Sequence, residues 1–229
     1  MKILLGIAAM VVLVVTGCAT TEQVAVQDQP AVCGFLGADV CRQLTPGQEG
    51  EAGLRWVNPK AQMTQYKKVM INMIGFFGSD PSKVPPKDQQ ALTDTFAKAL
   101  HEELAKKYEV VDQPGPGVVK VQVAILDAEA ATPGMRSISM AVPQMRLLST
   151  GASFATGKFP FAGGAEAAAK LSDAVTGEVL AAGVDRRVGG GSIKTVAQWE
   201  WGDAENAMKA WAAMIATKMY AYTSGAKKP

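Results

Sequence analysis

The sequence predicts an α+β fold: a mixed, largely antiparallel sheet of about four to five strands with two long helices on one face. Three observations carry that expectation. Two runs hold apolar residues at helical spacing: Leu92, Phe96, Leu100 and Leu104 with Ala99 beside them, and Met208, Trp211, Ile215, Met219 and Tyr222. Between them Val119, Val121, Val123 and Ile125 alternate with Lys120 and Gln122, as a strand requires. Thr176-Gly177 then joins two strand-length runs, so the order β-α-β-β-β-β-α lacks the regular alternation of a parallel α/β fold.

The chain opens with Lys2 and an apolar run, Ile3 to Val15. The run is about 13 residues, short of the roughly 20 that a bilayer span needs, and reads as a secretory signal over residues 1–17. Val15-Thr16-Gly17-Cys18 closes it and resembles the bacterial lipobox. That resemblance implies cleavage before Cys18, a diacylglycerol on its thiol, and two or three acyl chains such as palmitate. Ala19 follows the cysteine where inner-membrane retention would use Asp, which implies sorting to the outer membrane. The mature chain is 212 of the 229 residues, enough for one domain, and 48% of the whole chain is apolar, enough for a core. Charge is nearly balanced, so no global field steers it to nucleic acid.

Residues 18–53 read as a lipid-anchored linker. Ala19 to Pro30 is polar and would let the body stand off the membrane. Cys33 and Cys41 form an even pair in an oxidising compartment and are expected to join in a disulfide. His101 is the only histidine, so two thiols at this spacing do not make a zinc site.

The α+β body is expected over 54–224. Lys67 to Ile74 reads as a strand apolar on both faces, and so central. Pro86 sits where a first-turn proline is tolerated, and a helix is expected over 87–108. Its outer face carries Asp94, Lys98, Glu102 and Lys106 as solvated i, i+4 pairs. Glu109 to Asp112 is a short strand, Pro114 to Gly117 a turn, and Val118 to Asp127 a strong strand. Ala165 to Leu171 is helical by propensity alone. It is nonetheless read as a strand, because the Thr176-Gly177 turn with Asp173 predicts antiparallel strands over 165–173 and 178–187. Asp203 is placed as N-cap of the last helix, and 225–229 as a fraying, disordered tail.

Ordered along the chain stand Trp56-Val57-Asn58-Pro59, Tyr66-Lys67-Lys68-Val69, Pro114-Gly115-Pro116-Gly117, Asp173 to Leu180, Asp185-Arg186-Arg187 and Trp201-Gly202-Asp203. No one of these is specific, but the ordered set resembles the uncharacterised bacterial lipoproteins filed as domain of unknown function 3313, over roughly Leu54 to Tyr222. The resemblance implies an envelope lipoprotein with an α+β body and supplies no functional residues. The layout is also similar to small α/β lipoprotein domains that activate or scaffold envelope machines, a likeness of fold only.

Catalytic constellations are thin. His101 points off the apolar stripe of its helix, and nothing places a nucleophile beside it. Glu102-Glu103 are helix-surface neighbours, and Asp127 and Glu129 lie at a strand end rather than across a cleft. Gly189 to Thr195 lacks the glycine that precedes the lysine of a phosphate loop. Asp185-Arg186-Arg187 reads as an exposed strand end with local ion pairs, although two arginines could grip an anion. No enzyme activity, metal or cofactor is expected.

The suggestive stretch is Ala130 to Ala165. It has no acidic residue, carries Arg136, Arg146 and Lys158, and holds Met135, Met140, Met145, Phe154, Phe159 and Phe161. At about 36 residues it is long for a loop. Three readings stand: apolar residues that complete the core, an adaptable partner surface, or a contact with anionic lipid. The expected function is a non-enzymatic outer-membrane lipoprotein, facing the periplasm, that serves an envelope protein partner as accessory or scaffold. The alternative is a lipid- or small-ligand-binding module with 130–165 as its lid.

Overall fold

The computed structural model describes residues 21–78, 80, 83–131, 162–189 and 200–229. The described residues form one mixed sheet of eight strands with four α-helices, more than the four to five strands and two helices expected. The strands are β1 (Thr21–Val24), β2 (Thr45–Pro46), β3 (Leu54–Val57), β4 (Lys68–Phe76), β5 (Glu109–Val110), β6 (Val118–Glu129), β7 (Gly164–Asp173) and β8 (Val179–Gly189). The helices are α1 (Gln29–Leu36), α2 (Ala38–Gln43), α3 (Pro86–Ala105) and α4 (Gly202–Thr223).

The order across the sheet is β2-β3-β8-β7-β6-β4-β5. The outer edge of β8 is shared: β3 pairs with its first half, and β1 with its second, Thr21 opposite Gly189. The β4–β5 and β4–β6 pairs are parallel, which the α3 crossover permits, and the other pairs are antiparallel.

The predicted hairpin forms. Gly177 takes φ 76°, and Asp173 accepts from the Val175 and Thr176 amides at 2.8 and 2.7 Å. The alanine run is a strand because it lies between β6 and β8 with both faces covered, and that burial overrides helix propensity. β4 is not central. It lies second from the edge, and the two-residue β5 leaves its second half without an outer neighbour. Asn72 is accordingly exposed and Met73 to Phe76 are only half-buried.

Two cores sandwich the sheet. On one face Leu92, Phe96, Leu100 and Leu104 of α3 and Met208, Trp211 and Met219 of α4 pack on Val119, Val121, Val123 and Ile125. On the other, Val32, Leu36 and Val40 of α1 and α2 cover Ala124, Leu126, Ala168 and Val184. The linker expected over 19–30 is therefore folded from residue 21 onward. β1 finds the free half of the β8 edge, and Asp28 caps α1 by accepting from Ala31 N at 3.2 Å. Cys33 and Cys41 are disulfide-bonded and staple α1 to α2 across Gly37, which takes φ 89°.

Two end effects also differ from expectation. Asp203 lies inside the first turn of α4 and Trp201 is the N-cap, because the Asp203 carboxylate is drawn to the Gly163 amide at 2.9 Å. The first residues of the tail turn back on the body. Gly225 takes φ 83° and turns the chain back, so that Lys227 N donates to Ala221 O at 2.8 Å and Lys227 Nζ meets Glu51 at 2.6 Å.

Candidate functional site

The Asp185-Arg186-Arg187 segment is not an exposed strand end. Asp185 and Arg186 are each 2% exposed, because β7 and β1 flank this half of β8 and helices cover its faces. Pleating sends Asp185 to the α4 face and Arg186 to the α1 face. Asp185 accepts from Trp211 Nε1, Gly53 N and Arg187 Nε, each at 2.8 Å, and from Gln23 Nε2. Arg186 bonds Glu129 at 2.7 Å and stands 3.6 Å from Glu166. Glu166, fully buried, also accepts from the amides of Gln27 and Asp28 at 2.8 and 3.0 Å. Burial pushes the Glu166 carboxyl up, against the two amides and Arg186. The arginines are thus committed to carboxylates of their own chain, and the network ties the N-terminal segment to the sheet.

The other quoted motifs gather at the hairpin end. Asn58 donates to Glu178 Oε1 at 2.8 Å and to Val179 O at 3.2 Å. Tyr66 donates to Asp173 at 2.9 Å, and burial together with that bond pushes its hydroxyl up to about 12. Gly117 O accepts from the Lys67 and Lys68 amides and fixes the entry to β4. These contacts fix the hairpin end of the sheet and the entry to β4. His101 is exposed on α3, as its position off the stripe predicts. Among the described residues no group of three or more His, Cys, Asp or Glu could hold a metal, and no helix is long and apolar enough to cross a membrane.

Cys18, Met135, Met140, Met145, Arg146, Phe154, Phe159 and Phe161 lie outside the described residues, as does most of Gly189 to Thr195. Their flanking residues are described. Ala131 N donates to Glu200 O at 2.6 Å, and Gly189 N to Gly163 O at 2.8 Å. Segments 132–161 and 190–199 therefore leave from one end of the sheet, where β1 also begins.

A feature that sequence reasoning missed lies beneath α4. On this face β7 and β8 present Ala167, Ala169, Ala181 and Gly183, too small to fill the space below the helix. A mainly apolar cavity of about 110 Å³ results, walled by Trp211, Met214, Ile215 and Met219. Asp185 lines it too, beside Trp211, and Glu51, Arg55 and Lys218 supply further polar lining. Glu51 is 4% exposed and is held by Arg55, by Lys227 at 2.6 Å and by Gln48 N at 3.1 Å. The sequence signal for this cavity was the run of small residues on two paired strands opposite large ones on α4.

The family model described as "Protein of unknown function (DUF3313)" matches residues 33–215, so the match takes in the disulfide loop that the resemblance over Leu54 to Tyr222 left out. No curated protein matches the chain. A variant PelC dodecamer from Paraburkholderia phytofirmans is similar with 10% identity and a TM-score of 0.41, over 73% of this chain and 97% of that one. A second PelC dodecamer from the same organism is similar with 9% identity and a TM-score of 0.38, over 71% and 96%.

Proposed function

The chain belongs to the family DUF3313, and from that premise we propose that it is a non-enzymatic outer-membrane lipoprotein on the periplasmic side, an accessory or scaffold of a cell-envelope assembly. Lipidated Cys18 is its anchor. One observation carries the reading. Only Ala19 and Thr20 separate Cys18 from β1, and β1 is paired along β8. Three residue steps reach at most about 11 Å. A lipid on Cys18 would hold the Thr21–Gly189 end of the sheet against the bilayer rather than let the body swing on a linker. Segments 132–161 and 190–199 leave from that same end, so the Met- and Phe-rich run starts close to the membrane. Confinement to this layer raises the effective concentration for partners there.

The test uses Cys18→Ala with photo-crosslinkers at Met140, Met145 and Phe159 and a control at Glu102. The anchored protein should sit in the outer-membrane fraction and give a discrete protein adduct from the run alone. Cys18→Ala should lose both. A soluble variant that keeps the full adduct yield would sink the tethering idea.

A second reading, a small-ligand-binding module, is favoured by the cavity beneath α4. In that reading the body presents a small-ligand site, with 130–165 as its cover.

A further inference from the structure

We propose that the cavity beneath α4 binds the apolar end of a small anionic amphiphile, a medium-chain carboxylate or a chemically equivalent acyl group, with Lys218 as its anion partner. The proposal rests on the small-ligand reading and names the ligand class that reading leaves open.

Size comes first. A cavity of about 110 Å³ is somewhat smaller than the roughly 150 Å³ apolar cavity that holds a benzene molecule. It therefore takes on the order of four carbons, not a whole lipid tail. Its floor of Ala167, Ala169, Ala181 and Gly183 and its walls of Trp211, Met214, Ile215 and Met219 offer dispersion contacts. None of these side chains except Trp211 has a polar group, and the Trp211 indole N–H is already donated to Asp185 at 2.8 Å.

Charge decides the rest. Both lining carboxylates are committed. Asp185 accepts from four donors, of which Arg187 is the cation. Glu51 is shared between Arg55 and Lys227. Lys218 is half-buried, lines the cavity and has no carboxylate partner among the described residues. Its Nζ lies 3.9 Å from where a side chain on Gly50 would begin, so it reaches across the turn beside Glu51. With Asp185 paired to Arg187 and Glu51 to Arg55 and Lys227, Lys218 is the lining cation left without a carboxylate partner among the described residues. A cationic ligand meets no available carboxylate there, whereas an anionic head group meets an ammonium. The strongest arrangement puts the acyl end under α4 and the carboxylate on Lys218 Nζ.

The experiment titrates octanoate, and separately octanol, into the full chain carrying Cys18→Ala, so that no acyl chain of its own competes. Binding is read by calorimetry and by the fluorescence of Trp211, with Trp211→Phe identifying its signal. Octanoate should bind with saturation and more tightly than octanol. Lys218→Gln should lower octanoate affinity about two- to fivefold, the range for a partly solvated ion pair, and leave octanol unchanged. Ala181→Leu should abolish both by filling the cavity. Should that variant misfold, the Lys218→Gln comparison still decides. Equal binding of octanol and octanoate, unaltered by Lys218→Gln, overturns the anion assignment and keeps the small-ligand reading. No saturable binding of either overturns both.

Discussion

Asp185 is the residue on which most separate parts of the chain converge. Its carboxylate accepts hydrogen bonds from β1, from the loop before β3, from β8 and from α4. Asp185→Ala leaves the Arg187 guanidinium and the Trp211 indole without that partner in the interior. Arg187 is 17% exposed and keeps Thr21, so the loss should fall below the about 3–5 kcal/mol of a fully buried pair, and equilibrium urea unfolding should register it. Asp185→Asn keeps the acceptor oxygen and should cost less. Glu51 makes the second residue-scale prediction. Burial pushes its carboxyl up, but the Lys227 hydrogen bond, the Gln48 amide and the Arg55 and Lys227 charges outweigh burial and hold it at about 2. The folded value lies below the unfolded one, so the group contributes stability above about pH 4.5 and loses it as pH falls toward 2. Lys227 is 39% exposed, and with that screening the contribution is on the order of 2 kcal/mol at neutral pH. Glu51→Gln should destabilise by that amount near pH 7, and the gap to wild type should narrow below about pH 4.5 and close as pH falls toward 2. Glu166, with its carboxyl raised by burial, responds in the opposite sense. The comparison with Glu51→Gln isolates the Glu51 term because Glu166 is present in both proteins. A gap that widens in acid would contradict the assignment.

At the scale of elements, α1 and α2 are eight and six residues long, too short to persist alone in water. Two things hold them: the Cys33–Cys41 bond and the burial of Val32, Leu36 and Val40 on the sheet. Closing a loop of this size is worth about 2–3 kcal/mol in the chain-entropy model. Cys33→Ser should lower stability by roughly that amount. Amide exchange should quicken in 29–43 first, while Leu92 to Leu104 stays protected. Uniform acceleration across both regions would mean that the helix pair is integral to the cooperative core. The strands β7 and β8, rich in small residues, show the converse of this dependence. Their alanines gain order from neighbours on each side, and Gly189 is a glycine because a Cβ there would run into the Asp203 carboxylate.

At the scale of the whole molecule, the short approach from Cys18 to β1 decides how the body meets a membrane. A photo-crosslinker at the exposed Glu22 should form lipid adducts in the anchored protein. Ten or so Gly and Ser residues inserted between Thr20 and Thr21 would lengthen the tether to about 45 Å at most, and those adducts should fall sharply while membrane fractionation stays the same. Persistent adducts would show that the sheet end holds the lipid without the tether's help. The proposed scaffold role depends on this geometry, because the tether fixes which end of the sheet meets the membrane.

The sequence alone determined the elements whose cause is local. Helix spacing identified α3 and the stripe of α4, turn chemistry at Asp173 and Gly177 defined the β7–β8 hairpin against the propensity of its alanines, and pairing arithmetic predicted the disulfide. The tertiary structure alone decided whatever depends on partners distant in the chain. It recruited residues 21–24 as a strand because half of the β8 edge was open, and buried Asp185 and Arg186 because β1 covered them. It drew Asp203 from its cap to Gly163 and docked Lys227 on Glu51. It opened a cavity where small residues on two strands happen to face one helix. Periodicity and turn signals are encoded within a few residues, whereas edge pairing, charge burial and empty space are properties of surfaces that meet only after the chain has folded.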